Sequence, residues 1–123
     1  MKLVFLIDDD TRTADRLAQM LREDGYAVEV SGDGVDALRR LETMPSPDVV
    51  VTDLMMPGAS GFTVMLEARR MQPTVPVIFL TGHPDLLARL PLKIDPAPIV
   101  FTKPIEYDDL RATIGRVTSP PKE

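Results

Sequence analysis

The sequence contains no cysteine, so a disulfide, a thiolate metal site and a cysteine nucleophile are all excluded. That absence suits a reducing cytoplasm. No apolar stretch approaches the roughly 18 residues of a membrane span, and no signal peptide is visible, so membrane insertion is not expected. An excess of basic residues is also missing. The formal charge is −5, which argues against direct binding of nucleic acid. No repeat recurs at a solenoid period. What remains is 123 residues, 44% hydrophobic and 27% charged, the make-up of one globular domain. The expected domain covers residues 1–118, and residues 119–123 form a polar, proline-containing, disordered tail.

The chain alternates strand-like and helix-like patterns. Leu3 to Ile7 is a continuous apolar run ending in Asp8-Asp9-Asp10. Ala14, Leu17, Ala18 and Leu21 then fall on one helical face, which Gly25 closes. Tyr26 to Val30 reads as a second strand, at an edge because Glu29 interrupts its valines. Val35, Leu38 and Leu41 mark a second helix. Val49 to Thr52 is the third strand, ending at Asp53 before the Pro57-Gly58 turn. Ser60 is an N-cap, and Phe62, Met65 and Leu66 give the buried face of a third helix. Val77 to Leu80 is a fourth strand. The segment from Leu86 to Pro98 is broken by prolines, so any fourth helix ends near Leu90. Ile99 to Phe101 is a fifth strand, and Leu110, Ile114 and Val117 mark the last helix. Five strands alternating with helices predict an α/β fold: a doubly wound parallel sheet with helices on both faces.

All strands of a parallel sheet end at one edge, so Asp8, Asp9, Asp53, Thr81 and Lys103 converge there. These residue types suit phosphoryl chemistry. Carboxylates bind Mg²⁺, a hard cation that prefers oxygen ligands. A carboxylate can be the nucleophile that forms an acyl phosphate. A lysine, a hydroxyl and the metal neutralise charge on the transferring group. Each piece also has an ordinary reading. Asp8 to Asp10 can cap a helix, Asp53 can open a turn, Thr81 can cap the next segment, and Lys103 can be a solvated side chain. Their joint placement at four strand ends favours the functional reading.

The segments Leu6-Ile7-Asp8-Asp9-Asp10, Thr52-Asp53-Leu54-Met55-Met56-Pro57-Gly58 with Gly61, Leu80-Thr81-Gly82, and Phe101-Thr102-Lys103-Pro104 resemble the receiver domain of two-component response regulators. The resemblance runs from Leu3 to Val117. It implies a flavodoxin-like five-stranded sheet in the order 2-1-3-4-5. It implies a phosphoacceptor, Asp53, charged in a Mg²⁺-dependent reaction by a sensor histidine kinase or phosphotransfer protein. The domain would then signal to a downstream protein partner by conformational change. Asp8 and Asp9 would hold Mg²⁺ with Asp53 and the backbone carbonyl of Met55, one of the first two acting through water. Thr81 would turn its hydroxyl to the phosphoryl group and Lys103 would pair with it. The resemblance also implies that the domain assists its own phosphorylation and dephosphorylation without turnover on a separate substrate. One departure is Val100, which stands where many receivers carry an aromatic switch residue. Phe101, one residue later, should face the other side of its strand.

A rival reading is a small phosphohydrolase of the haloacid dehalogenase type, with Asp8 as nucleophile and Thr81, Lys103 and Asp108-Asp109 behind it. Arg12 breaks that family's first motif, and Asp53 is left without a role. Gly32-Asp33-Gly34-Val35-Asp36-Ala37 matches a dinucleotide fingerprint, but on an edge strand. His83, the only histidine, reads as a surface loop residue. The sequence shows no DNA-binding or catalytic output domain after Val117, which fits either a stand-alone receiver or a piece of a larger regulator or hybrid kinase.

Overall fold

The computed structural model describes residues 1–88 and 93–119. Among the described residues, five strands and five helices alternate: β1 (Leu3–Ile7), α1 (Thr11–Glu23), β2 (Ala27–Ser31), α2 (Gly34–Leu41), β3 (Val49–Asp53), α3 (Gly61–Met71), β4 (Val77–Thr81), α4 (Asp85–Ala88), β5 (Ile99–Thr102) and α5 (Tyr107–Thr118). All strands are parallel, in the order β2-β1-β3-β4-β5. The expected fold class and strand order are both observed. Leu90, where the fourth helix was expected to end, lies outside the described residues. So does the tail beyond Ser119.

Strand alternation divides the core into two layers. Val4, Leu6, Val49, Val51, Ile78 and Leu80 pack under α1 and α5, against Leu17, Leu21, Leu110 and Ile114. Phe5, Ile7, Val50, Val77 and Phe79 face the opposite way, against Ala37 and Leu41 of α2 and Val64, Met65 and Ala68 of α3. β3 and β4 are buried along their whole length, as strands covered on both faces must be. β2 and β5 are the half-exposed edges, and Glu29 sits on the exposed side of β2 as its polarity demands. Val100 and Phe101 point to opposite faces: Val100 is exposed, while Phe101 packs against the layer under α1 and α5.

Two expectations need correction. Leu66, expected on the buried face of the third helix, is 49% exposed. In α3 the buried set is Gly61, Val64, Met65 and Ala68, and Leu66 lies a further 100° or so round the helix from Met65. The second strand begins at Ala27 rather than Tyr26 and runs on to Ser31, which pairs with Ile7.

Candidate functional site

Asp8, Asp53 and Lys103 each stand two residues beyond a side chain that faces the α1–α5 layer: Leu6, Val51 and Phe101. Their period-2 placement aims all three at the same side of the sheet edge. The structure brings them together. Lys103 Nζ lies 3.2 Å from Asp53 Oδ2 and 3.5 Å from Asp8 Oδ2. Carboxylate oxygens of Asp8, Asp9 and Asp53 all lie within 4.8 Å of one another. Asp8 is fully buried, Asp53 is buried, and Asp9 is exposed, so the group opens to solvent on one side.

The three consecutive aspartates divide their work. Asp10 is the N-cap of α1: its side chain accepts hydrogen bonds from the backbone N–H groups of Arg12 and Thr13 and from the Thr13 hydroxyl. The Asp10 N–H in turn donates to Asp8 Oδ1 at 2.9 Å, fixing the buried carboxylate. Asp8 and Asp9 are left for the pocket.

Burial pushes the Asp8 carboxyl above its ordinary range, and the nearby Asp53 charge adds to that push. The Asp10 N–H and Lys103 oppose it without cancelling it. For Lys103, burial is the largest single influence and favours the neutral amine. The combined pull of Asp8 and Asp53 outweighs it, so the ammonium is held above the usual lysine range. Three carboxylates thus face one ammonium, leaving an excess of negative charge lined with oxygen donors. That donor set fits a hard divalent cation such as Mg²⁺.

Thr81 occupies the end of β4, buried, and its carbonyl accepts the Lys103 N–H at 2.8 Å. Its hydroxyl accepts the N–H of His83 at 2.8 Å. Thr81 therefore borders the pocket through Lys103. His83 is exposed, as expected. Met55 lies in the loop after β3 with its side chain largely exposed, and Leu54, just before it, is anchored by the Gly61 N–H to its carbonyl at 2.8 Å. A Cβ on Gly61 would stand 2.1 Å from the Asp53 carbonyl oxygen, so only glycine lets α3 start this close to the strand end. The Lys103–Pro104 peptide bond is cis, a feature with no signal in the sequence.

The dehalogenase arrangement does not form. Asp108 is exposed in the first turn of α5 and pairs with Arg111 at 3.6 Å. Among the described residues, the carboxylates grouped with Asp8 are Asp9 and Asp53. The dinucleotide fingerprint fails as well, because Gly34 is pressed against the backbone of Ala59 and leaves no room for a phosphate.

The chain is similar to several known proteins. The sensory transduction protein RegX3 of Mycolicibacterium smegmatis is 37% identical over 120 residues, covering 95% of this chain and 50% of its own length. The transcriptional regulatory protein CreB of Escherichia coli is 36% identical over 87 residues, covering 71% and 38%. The chain thus spans about half or less of the length of these curated relatives. Among solved structures, a response regulator receiver domain protein from Clostridium thermocellum superposes with a TM-score of 0.84 at 30% identity, over 96% of this chain and 94% of that one. The response regulator TrrA of Thermotoga maritima, solved in complex with Mg²⁺-BeF, gives 0.82 at 26% identity, over 95% and 99%. The family model of the response regulator receiver domain matches residues 4–115, the span that runs from β1 into α5 and includes each of the pocket residues. With the family model matching most of the chain, a relative 37% identical over 95% of it and the fold in agreement, the chain belongs to the response regulator receiver domain family of two-component systems.

Proposed function

We propose that this receiver domain, spanning residues 1–118, accepts a phosphoryl group on Asp53. The donor is the phosphohistidine of a sensor histidine kinase or of a histidine phosphotransfer protein. An Asp53 carboxylate oxygen attacks phosphorus, the N–P bond breaks, and the leaving imidazole keeps the electron pair and takes up a proton. The product is an acyl phosphate. On this reading the domain works in the cytoplasm, where ATP-charged kinases supply the group. It assists its own phosphorylation and dephosphorylation and turns over no separate substrate.

The observation that carries the reading is the meeting of Asp53 with Asp8, Asp9 and Lys103 at one strand edge. Asp8, Asp9, Asp53 and the Met55 carbonyl would hold Mg²⁺, which when bound supplies positive charge to the transferring phosphoryl oxygens. Lys103 already points at Asp53 and provides a second positive charge. Thr81 accepts one hydrogen bond and keeps its own O–H to donate to a phosphoryl oxygen. The modified side chain gains about −1.5 to −2 charges, which draws Lys103 and Thr81 toward it. That local rearrangement is what a downstream protein partner would read.

Treatment with acetyl phosphate and Mg²⁺, followed by mass spectrometric mapping, tests the assignment. Label is expected on Asp53 and is abolished in Asp53→Asn. Label on Asp8, or undiminished label in Asp53→Asn, would overturn it.

A further inference from the structure

The loop of residues 54–60 is held at both ends by contacts that only glycine permits. At its start, Gly61 sits against the Asp53 carbonyl and donates its N–H to the Leu54 carbonyl. Near its end lies Gly34, the first residue of α2. A Cβ on Gly34 would stand 2.0 Å from the Ala59 carbonyl oxygen and 2.7 Å from the carbonyl carbon. Both partners are backbone, so no change of rotamer relieves such a contact. Either α2 or the loop must move.

The start of α2 cannot drift freely. Asp33 caps the helix by accepting the Asp36 N–H at 2.7 Å. The Ser31 hydroxyl bonds the Asp33 carbonyl at 3.0 Å and Asp36 Oδ2 at 2.8 Å. Ser31 in turn accepts the backbone N–H of Asp8 at 3.1 Å through its carbonyl. An unbroken series of contacts thus runs from Asp8 through Ser31 and Asp33 to Gly34 and on to Ala59.

We propose that Gly34 is a positioning residue for the phosphoacceptor pocket: its bare backbone fixes how far the loop carrying Met55 stands from the strand end carrying Asp8. The inference rests on the reading that Asp8 and the Met55 carbonyl share Mg²⁺. Adding one methyl group at Gly34 displaces Ala59 and the loop, and so weakens the metal site without touching any ligand. Supporting contacts behind metal ligands are typically worth roughly 10- to 100-fold in affinity.

The test is Mg²⁺ titration of the full chain by calorimetry, beside two controls. Gly34→Ala is expected to bind Mg²⁺ roughly tenfold more weakly or worse, with acetyl phosphate labelling restored at saturating Mg²⁺. Gly32→Ala, just before α2 and with nothing within 4 Å of the added carbon, leaves affinity unchanged. Ala37→Gly, which loosens the interior of α2 away from the loop, also leaves it unchanged. All variants are measured in trimethylamine N-oxide, which keeps marginal variants folded. Wild-type affinity in Gly34→Ala, or an equal loss in Ala37→Gly, overturns the role of Gly34 alone. Failure of the wild type to bind Mg²⁺ overturns the metal reading and the inference with it.

Discussion

Lys103 Nζ and Asp53 Oδ2 meet at 3.2 Å, although 50 residues separate them in sequence and β4 runs between their strands. The same ammonium also reaches Asp8, so it is the cation that holds two buried carboxylates side by side. Replacing it by methionine leaves those carboxylates facing each other. Lys103→Met should lose about 1–3 kcal/mol of stability in metal-free buffer, the usual cost of stranding a buried polar group. Mg²⁺ should then raise its melting temperature more than it raises that of the wild type. Thermal unfolding with and without Mg²⁺ checks both statements, and equal metal-free melting temperatures would contradict the first.

Asp8 makes the opposite prediction. Its pKa is raised in the folded state, chiefly by burial, so ionising it at neutral pH works against folding. The wild type recovers that loss as pH falls through the raised folded value, fully so only below the ordinary carboxylate pKa, where Asp8 is neutral in both states. Asp8→Asn should therefore be more stable than the wild type in metal-free buffer at neutral pH. The difference should shrink as the solution is acidified, and should shrink or reverse with saturating Mg²⁺. Urea unfolding across that pH window measures it. A variant less stable than the wild type at neutral pH without metal would show that the Lys103 and Asp10 contacts outweigh burial.

Asp10 differs from its two neighbours in being a helix cap. Asp10→Ala should lower the melting temperature by roughly a few degrees, as loss of an N-cap does. Its backbone N–H still reaches Asp8, so labelling of Asp53 should persist. The Thr13 hydroxyl leads the contacts that hold the Asp10 carboxyl below its ordinary range. The stabilisation from Asp10 is therefore fully present above that ordinary range and disappears as pH falls through the lowered value. Loss of labelling in Asp10→Ala would assign it to the pocket after all.

The pocket was legible because it depends on strand ends, and strand ends were easy to find. Runs such as Val49-Val50-Val51 announce a buried strand, and the first carboxylate after each run falls at the sheet edge by the geometry of parallel strands. The period of two then sends Asp8, Asp53 and Lys103 to one side. Less visible were contacts between backbones and between loops. Gly34 against Ala59 has no pattern in sequence, because neither residue advertises a neighbour 25 positions away. Arg69 is similar: it leaves α3 to donate to the carbonyls of Val75 and Pro96, with burial holding its pKa below the usual range. A surface-like arginine in a helix gives no hint of that. The exposed Leu66 departs from expectation for a related reason, since apolar identity alone does not fix which face of a short helix is covered.

Met65 and Leu66 turn that last point into a measurement. They are adjacent in sequence and similar in size, yet Met65 is fully buried against the sheet while Leu66 is half exposed. Truncating Met65 removes contacts with a close-packed layer and opens a cavity, so Met65→Ala should cost about 2–5 kcal/mol. Leu66→Ala takes little from the core, puts a better helix former in α3, and should change stability by less than about 0.5 kcal/mol. Denaturant unfolding of the two variants compares them directly. Equal losses would mean that α3 is rotated from the orientation described, which would also pull Gly61 off the Asp53 carbonyl and disturb the acceptor. Labelling of Asp53 in Leu66→Ala should accordingly match the wild type.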